Sequence, residues 1–74
     1  MMESTTETVG ALVKETRKAL GVTQADLALT SGTGLRFISD LEKGKPTCQF
    51  GKVLTVIQTL GIQIEFTKPV STQE

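Results

Sequence analysis

The 74-residue chain has no histidine and a single cysteine, Cys48. One thiol excludes an intrachain disulfide, and without histidine it falls short of a zinc ligand set. No pair of carboxylates marks an evident cleft, so no catalytic set is visible and no enzyme is expected. No metal and no cofactor are expected either. No apolar run approaches the length of a membrane span, and the start, MMESTTETVG, lacks a signal-peptide layout. With a free thiol, this predicts a cytoplasmic protein with no membrane partner. Length is scarce too. A chain this short buries limited apolar surface and is marginal alone. With disulfides and metal excluded, oligomerisation is the remaining route to stability.

The formal charge is zero, which by itself does not point to nucleic acid. Its distribution is uneven. Residues 10–22 carry Lys14, Arg17 and Lys18 against Glu15, and residues 33–52 carry Arg36, Lys43, Lys45 and Lys52 against Asp40 and Glu42. Each stretch is net positive, so a basic face is compatible with a neutral total.

The apolar pattern is helical over most of the chain. Ser4 or Thr5 is placed to cap a first helix, with Glu7 three residues after Ser4 as in a capping box. Val9, Leu12, Val13 and Leu20 follow a helical rhythm, and Gly21 ends it. Thr23 caps a second helix, Gln24 to about Ser31, with Leu27 and Ala28 inward. Gly32 stops it, and residues 32–34 make a tight turn. A third helix runs from about Gly34 or Leu35 to Lys43, with Ile38 and Leu41 as its core pair. Pro46 forbids continuation and Thr47 caps a fourth helix. Phe50, Val53, Leu54, Ile57 and Leu60 form its apolar stripe, and Gly61 closes it. Ile62, Ile64 and Phe66 then alternate with Gln63 and Glu65, a strand pattern with no partner in its own chain.

Two short helices joined by a glycine turn suggest a helix-turn-helix. The pattern Thr23-Gln24, Leu27-Ala28, Gly32, Ile38-Ser39, Glu42, Gly44-Lys45 resembles the XRE class, named for phage-repressor-like DNA-binding domains, over about Leu12 to Gly61. The strand after the fourth helix and the segment GLRFISDLEKGKPTCQFGKVL resemble HipB-type antitoxins. The resemblance implies a mainly α fold: a lambda-repressor-like domain of four or five helices with one C-terminal β-strand pairing across a homodimer. The expected layout is a flexible tail over residues 1–4, a domain over 5–66 with its strand at 62–66, and a flexible tail over 67–74.

The resemblance also assigns roles. Arg17 and Glu42 match a structural ion pair. The third helix becomes the recognition helix, with Gly34, Leu35, Arg36 and Asp40 at outward sites that meet base edges in the major groove. The Arg36 fork suits guanine O6 and N7. Leu35 either touches a thymine methyl or covers the domain's own core. Asp40 either accepts from cytosine N4 or orients Arg36 four residues before it. Gly34 supplies no side chain at a common contact site. Phe37 departs from the class, which has a small or polar residue there, and either wedges against a neighbouring helix, the expected role, or stacks or wedges at DNA. Thr23, Gln24, Lys45, Thr47 and Lys52 are the candidate phosphate contacts. Cys48 is either an inert small residue or a redox-sensitive thiol near a helix start.

The strand would pair with its twofold mate, with Ile62, Ile64 and Phe66 toward the helices and Leu60 or Val56 joining the interface. The implied partners are a palindromic DNA operator, a second copy, and a HipA-like kinase toxin. Two other readings stay open: a stand-alone transcription regulator, and a helix-turn-helix-shaped protein-interaction module that does not bind DNA.

Overall fold

The structure is a computed structural model, and it describes residues 5–46, 49–65 and 68–69. Four helices follow one another: α1 (Thr6–Ala19), α2 (Gln24–Ser31), α3 (Leu35–Glu42) and α4 (Phe50–Thr59). Of four or five expected helices, the described residues contain four. α3 packs against both α1 and α2, and α4 packs against α2.

The caps are local decisions and mostly fall where the chain's polar residues and glycines place them. Thr5, not Ser4, caps α1 and accepts from the Thr8 amide at 3.1 Å. Thr23 caps α2 in a reciprocal box with Asp26. Gly32 takes a left-handed conformation (φ 71°) that ends α2 and turns the chain toward α3. Leu20 and Leu60 are the C-caps of α1 and α4, with left-handed Gly21 and Gly61 just beyond. The start of α4 differs from expectation. Its N-cap is Gln49, and Thr47 lies outside the described residues with Cys48.

The core draws on every helix: Val13, Leu27, Ala28, Ile38, Leu41, Val56, Ile57 and Leu60. The buried positions of α1 are Gly10, Val13 and Arg17. Leu12 and Leu20, which share its apolar rhythm, stay 45 % and 58 % exposed. Phe50, at the head of the α4 stripe, is 62 % exposed. The reason is the shortness of the neighbours. Helices of eight residues span roughly 12 Å, so they cover only part of a longer apolar face.

Gly10 is the close approach in this fold. A Cβ there would collide with the Leu41 carbonyl oxygen, so α1 passes the end of α3 with no room for a side chain. The same crossing is pinned nearby by the Thr6 hydroxyl, which donates to the Gly44 carbonyl at 2.7 Å. Ser31 is buried but satisfied, donating to the Leu27 carbonyl at 2.7 Å and meeting the Thr33 hydroxyl at 2.9 Å.

Beyond Gly61, residues 62–65 belong to no helix or strand, and no strand occurs among the described residues. Phe66 lies outside them. Ile62 packs half-buried against the core, and Ile64 is 41 % exposed. The expected flexible tails also lie outside the described residues, apart from Lys68 and Pro69.

Candidate nucleic-acid interface

The platform of the site is an ionic cluster where α1, α2 and α3 meet. The Arg17 guanidinium donates through Nε to Glu42 Oε2 at 2.6 Å and through Nη2 to Oε1 at 3.0 Å. Its Nη1 donates to the Val22 carbonyl at 2.8 Å. The Gln24 amide donates to Glu42 Oε1 at 2.9 Å. The side chains of Arg17 and Glu42 are only 10 % and 3 % exposed. Such a pair is tolerable away from water because its lone pairs and protons are taken up. No buried side-chain nitrogen or oxygen among the described residues lacks a partner.

The electrostatics follow from this geometry. The hydrogen bond to Glu42 raises the Arg17 pKa above its ordinary value, against the opposing effect of burial. Burial pushes the Glu42 carboxyl up. The hydrogen bonds from Arg17 and Gln24, with the charges of Arg17 and Lys14, outweigh it and leave the group below its ordinary value. Both groups are therefore charged at neutral pH. The cluster ties the end of the third helix to the first helix and to the start of the second. It also changes the reading of Gln24. That side chain, expected to clamp a phosphate, gives one amide N–H to Glu42 and keeps a second donor.

This platform leaves one face of α3 toward solvent. Arg36 is exposed and lies across the helix from Ile38 and Leu41, which are buried, while Leu35, one turn before Ile38, is 53 % exposed. Leu35 is not among the side chains that form or pack on the core. Gly34 is the N-cap of α3, and a Cβ built there would meet nothing within 4 Å. Arg36 forms no ion pair among the described residues. Asp40 does not orient it. The Asp40 carboxylate instead pairs with Lys45 at 3.4 Å, tying the loop after α3 back onto the helix. This neutralises an acid that would otherwise repel a phosphate backbone.

Phe37 is half-buried and packs against the core, as expected of a wedge. Lys52 lies over its ring, with Nζ 5.8 Å from the centroid, so the first turn of α4 is coupled to α3. The side chain of Thr23 is committed as the α2 cap, accepting from the Asp26 amide at 3.0 Å; its hydroxyl proton is still available to donate. Thr47 lies outside the described residues. The structure thus brings Leu35, Arg36, Asp40, Lys45 and Lys52 onto or beside one helix.

The expected dimer residues separate. Leu60 is 8 % exposed and Val56 is fully buried, both in the chain's own core, so neither has surface to give to a partner. An α-helical stripe reports which residues are apolar, not which of two neighbours covers them. Ile62 and Ile64 line an apolar groove of about 610 Å³ with Val9, Leu12, Phe50 and Ile57.

Comparison with known proteins agrees with this geometry. A family profile described as helix-turn-helix matches residues 13–66. An "Uncharacterized HTH-type transcriptional regulator y4mF" of Sinorhizobium fredii is 56 % identical over 61 residues, covering 82 % of this chain and 80 % of that protein. The restriction-modification controller protein C.AhdI from Aeromonas hydrophila superposes with a TM-score of 0.70 at 26 % identity, over 78 % of this chain and 84 % of that one. A chain of a HipA-HipB-O2-O3 complex superposes with a TM-score of 0.79 at 19 % identity, over 92 % and 96 % of the two chains, and so shares the fold. With Thr23 at the head of α2, a glycine turn, an outward-facing α3 and the Arg17–Glu42 pair beneath it, the chain belongs to the XRE-class helix-turn-helix family of DNA-binding transcriptional regulators.

Proposed function

We propose that the chain is a dimeric, sequence-specific repressor whose α3 enters the major groove. The observation that carries this reading is the outward face of α3. There Arg36 is exposed and unpaired among the described residues, while the Arg17–Glu42 cluster holds the helix from behind. In this reading Arg36 bonds guanine, Leu35 meets a thymine methyl, and Gly34 lets the backbone approach the bases closely. Asp40, shared with Lys45, is the weaker base contact. Lys45, Lys52 and the Thr23 hydroxyl take phosphates, and Thr47 stays a candidate from sequence alone.

Dimerisation would use Ile62 and Ile64, with Phe66 completing the alternation. The support is the groove they line and the exposed Leu12 and Phe50 at its sides. A second copy covering this face would let residues 62–66 of the two chains pair as strands and would fix two recognition helices about one helical turn apart.

The binding test is affinity for a duplex carrying the sequence upstream of the chain's own coding region, measured across salt concentrations. Each neutralised phosphate should contribute about −0.9 to the slope of log affinity against log salt. Weak binding that ignores salt would sink the repressor reading and favour a protein-interaction module.

The antitoxin role, with a HipA-like kinase toxin as partner, rests on the resemblance of residues 34–54 to HipB-type antitoxins. Its test is gene context and co-purification. An adjacent kinase-like gene whose product co-purifies with this chain supports it. An unrelated neighbour would leave a stand-alone regulator.

A further inference from the structure

We propose that Phe37 is a positioning residue for DNA affinity: its ring holds the Lys52 ammonium beside the recognition helix, ready for a phosphate. The inference rests on the DNA-binding reading and deepens it. Two observations carry it. Lys52 Nζ stands 5.8 Å from the Phe37 ring centroid, within the range where a cation is attracted by the ring face. Phe37 itself is half-buried against the core and therefore fixed, whereas Lys52 is exposed and would otherwise sweep freely through solvent.

The position of Lys52 makes the arrangement informative. It is the third residue of α4, where the helix dipole disfavours a cation. A lysine there gains nothing from its own helix, and it has no carboxylate partner among the described residues. The aromatic ring supplies a weak attraction that leaves the charge unneutralised. A carboxylate would hold the lysine as well but would cancel the field that a phosphate feels. Asp40 and Lys45 illustrate that alternative one turn further along α3. Holding the ammonium in place before binding lowers the ordering cost at the moment of contact. Phe37 thereby contributes to affinity without reaching DNA.

The test compares wild type, F37L, F37W, K52Q and F37L/K52Q. F37L keeps an apolar wedge but removes the ring face, and F37W restores one. Two readouts are used. In the free protein, the Lys52 side-chain proton shifts should carry a ring-current displacement that F37L abolishes and F37W retains. With a labelled mixed-sequence duplex of roughly three helical turns, K52Q should lower the salt slope by about one. F37L should weaken binding about two- to fivefold, F37W should bind like wild type, and F37L/K52Q should bind no worse than K52Q alone. If F37L binds like wild type, or its loss adds in full to that of K52Q, the positioning role is overturned. If wild type shows the ring-current displacement but no salt-dependent affinity, the DNA reading itself fails and takes this inference with it.

Discussion

Removing the Arg17 charge should do more than weaken the fold: it should reverse the sign of its pH dependence. In the R17M variant Glu42 would keep Gln24 as donor but lose two hydrogen bonds and its counter-charge. Breaking a buried pair from one side costs about 3–5 kcal/mol, because the remaining charge stays out of water. A 74-residue domain has roughly 4–11 kcal/mol to lose by the usual per-residue range. The variant is therefore expected to be marginal, with Tm lowered by roughly 12–40 °C at the usual sensitivity of small domains. The measurement is urea unfolding followed by circular dichroism, at fixed protein concentration because oligomerisation shifts apparent stability. In the wild type the folded-state pKa of Glu42 is depressed. Its contribution is present above the ordinary carboxylate value of 4.5 and is lost as pH falls through the folded value. In R17M burial dominates and raises the folded pKa. The folded state then binds the proton more readily, so stability should grow as pH falls toward the ordinary carboxylate range and shrink as pH rises through the raised value. Replacing both partners, as in R17M/E42L, removes the stranded charge and should recover most of the loss. An R17M cost under about 1 kcal/mol, typical of exposed pairs, with wild-type pH dependence would refute the view that this cluster is a buried, mutually satisfied unit.

Other expectations are simpler. R36A should relax sequence preference, costing about 1–3 kcal/mol of discrimination at one base pair; equal loss on all sequences in competition binding would make Arg36 a phosphate contact instead. G10A should destabilise by about 1–3 kcal/mol, because its methyl meets the Leu41 carbonyl with no room to move; an unchanged urea midpoint would mean that the α1–α3 crossing adjusts. I64P should yield monomers by sedimentation and poor operator affinity, because proline removes a ladder donor; a dimeric, tightly binding variant would assign that segment another partner. K45Q should lower the salt slope by about one, and an unchanged slope would leave Lys45 as a partner of Asp40 alone.

The extent of what could be read from sequence differs sharply between kinds of feature. The helix boundaries set by Thr5, Thr23, Gly21, Gly32 and Gly61 follow from interactions spanning three to five residues, which the order of side chains dictates directly. α4 starts at Phe50 behind an N-cap at Gln49, two residues past the nearest capping candidate in the sequence, because a polar side chain marks the neighbourhood of a helix start and not its exact position. The ionic pair was placed through family resemblance. Nothing in Gln24 itself signalled that its amide would close that cluster, since its partner lies 18 residues away. Periodicity named Leu12, Leu20, Phe50 and Leu60 as apolar positions alike, yet only Leu60 is buried.

The sequence by itself determined four helical segments, the glycine turn between α2 and α3, and the outward side of α3, because these depend on local backbone preference and on the 3.6-residue period. Tertiary structure alone decided that Gly10 must stay small, that Lys45 pairs with Asp40 while Lys52 lies over Phe37, and that Leu60 belongs to the core. Those outcomes depend on distances between segments remote in the chain. Such distances are set by how short helices cross, and no single stretch of residues encodes them.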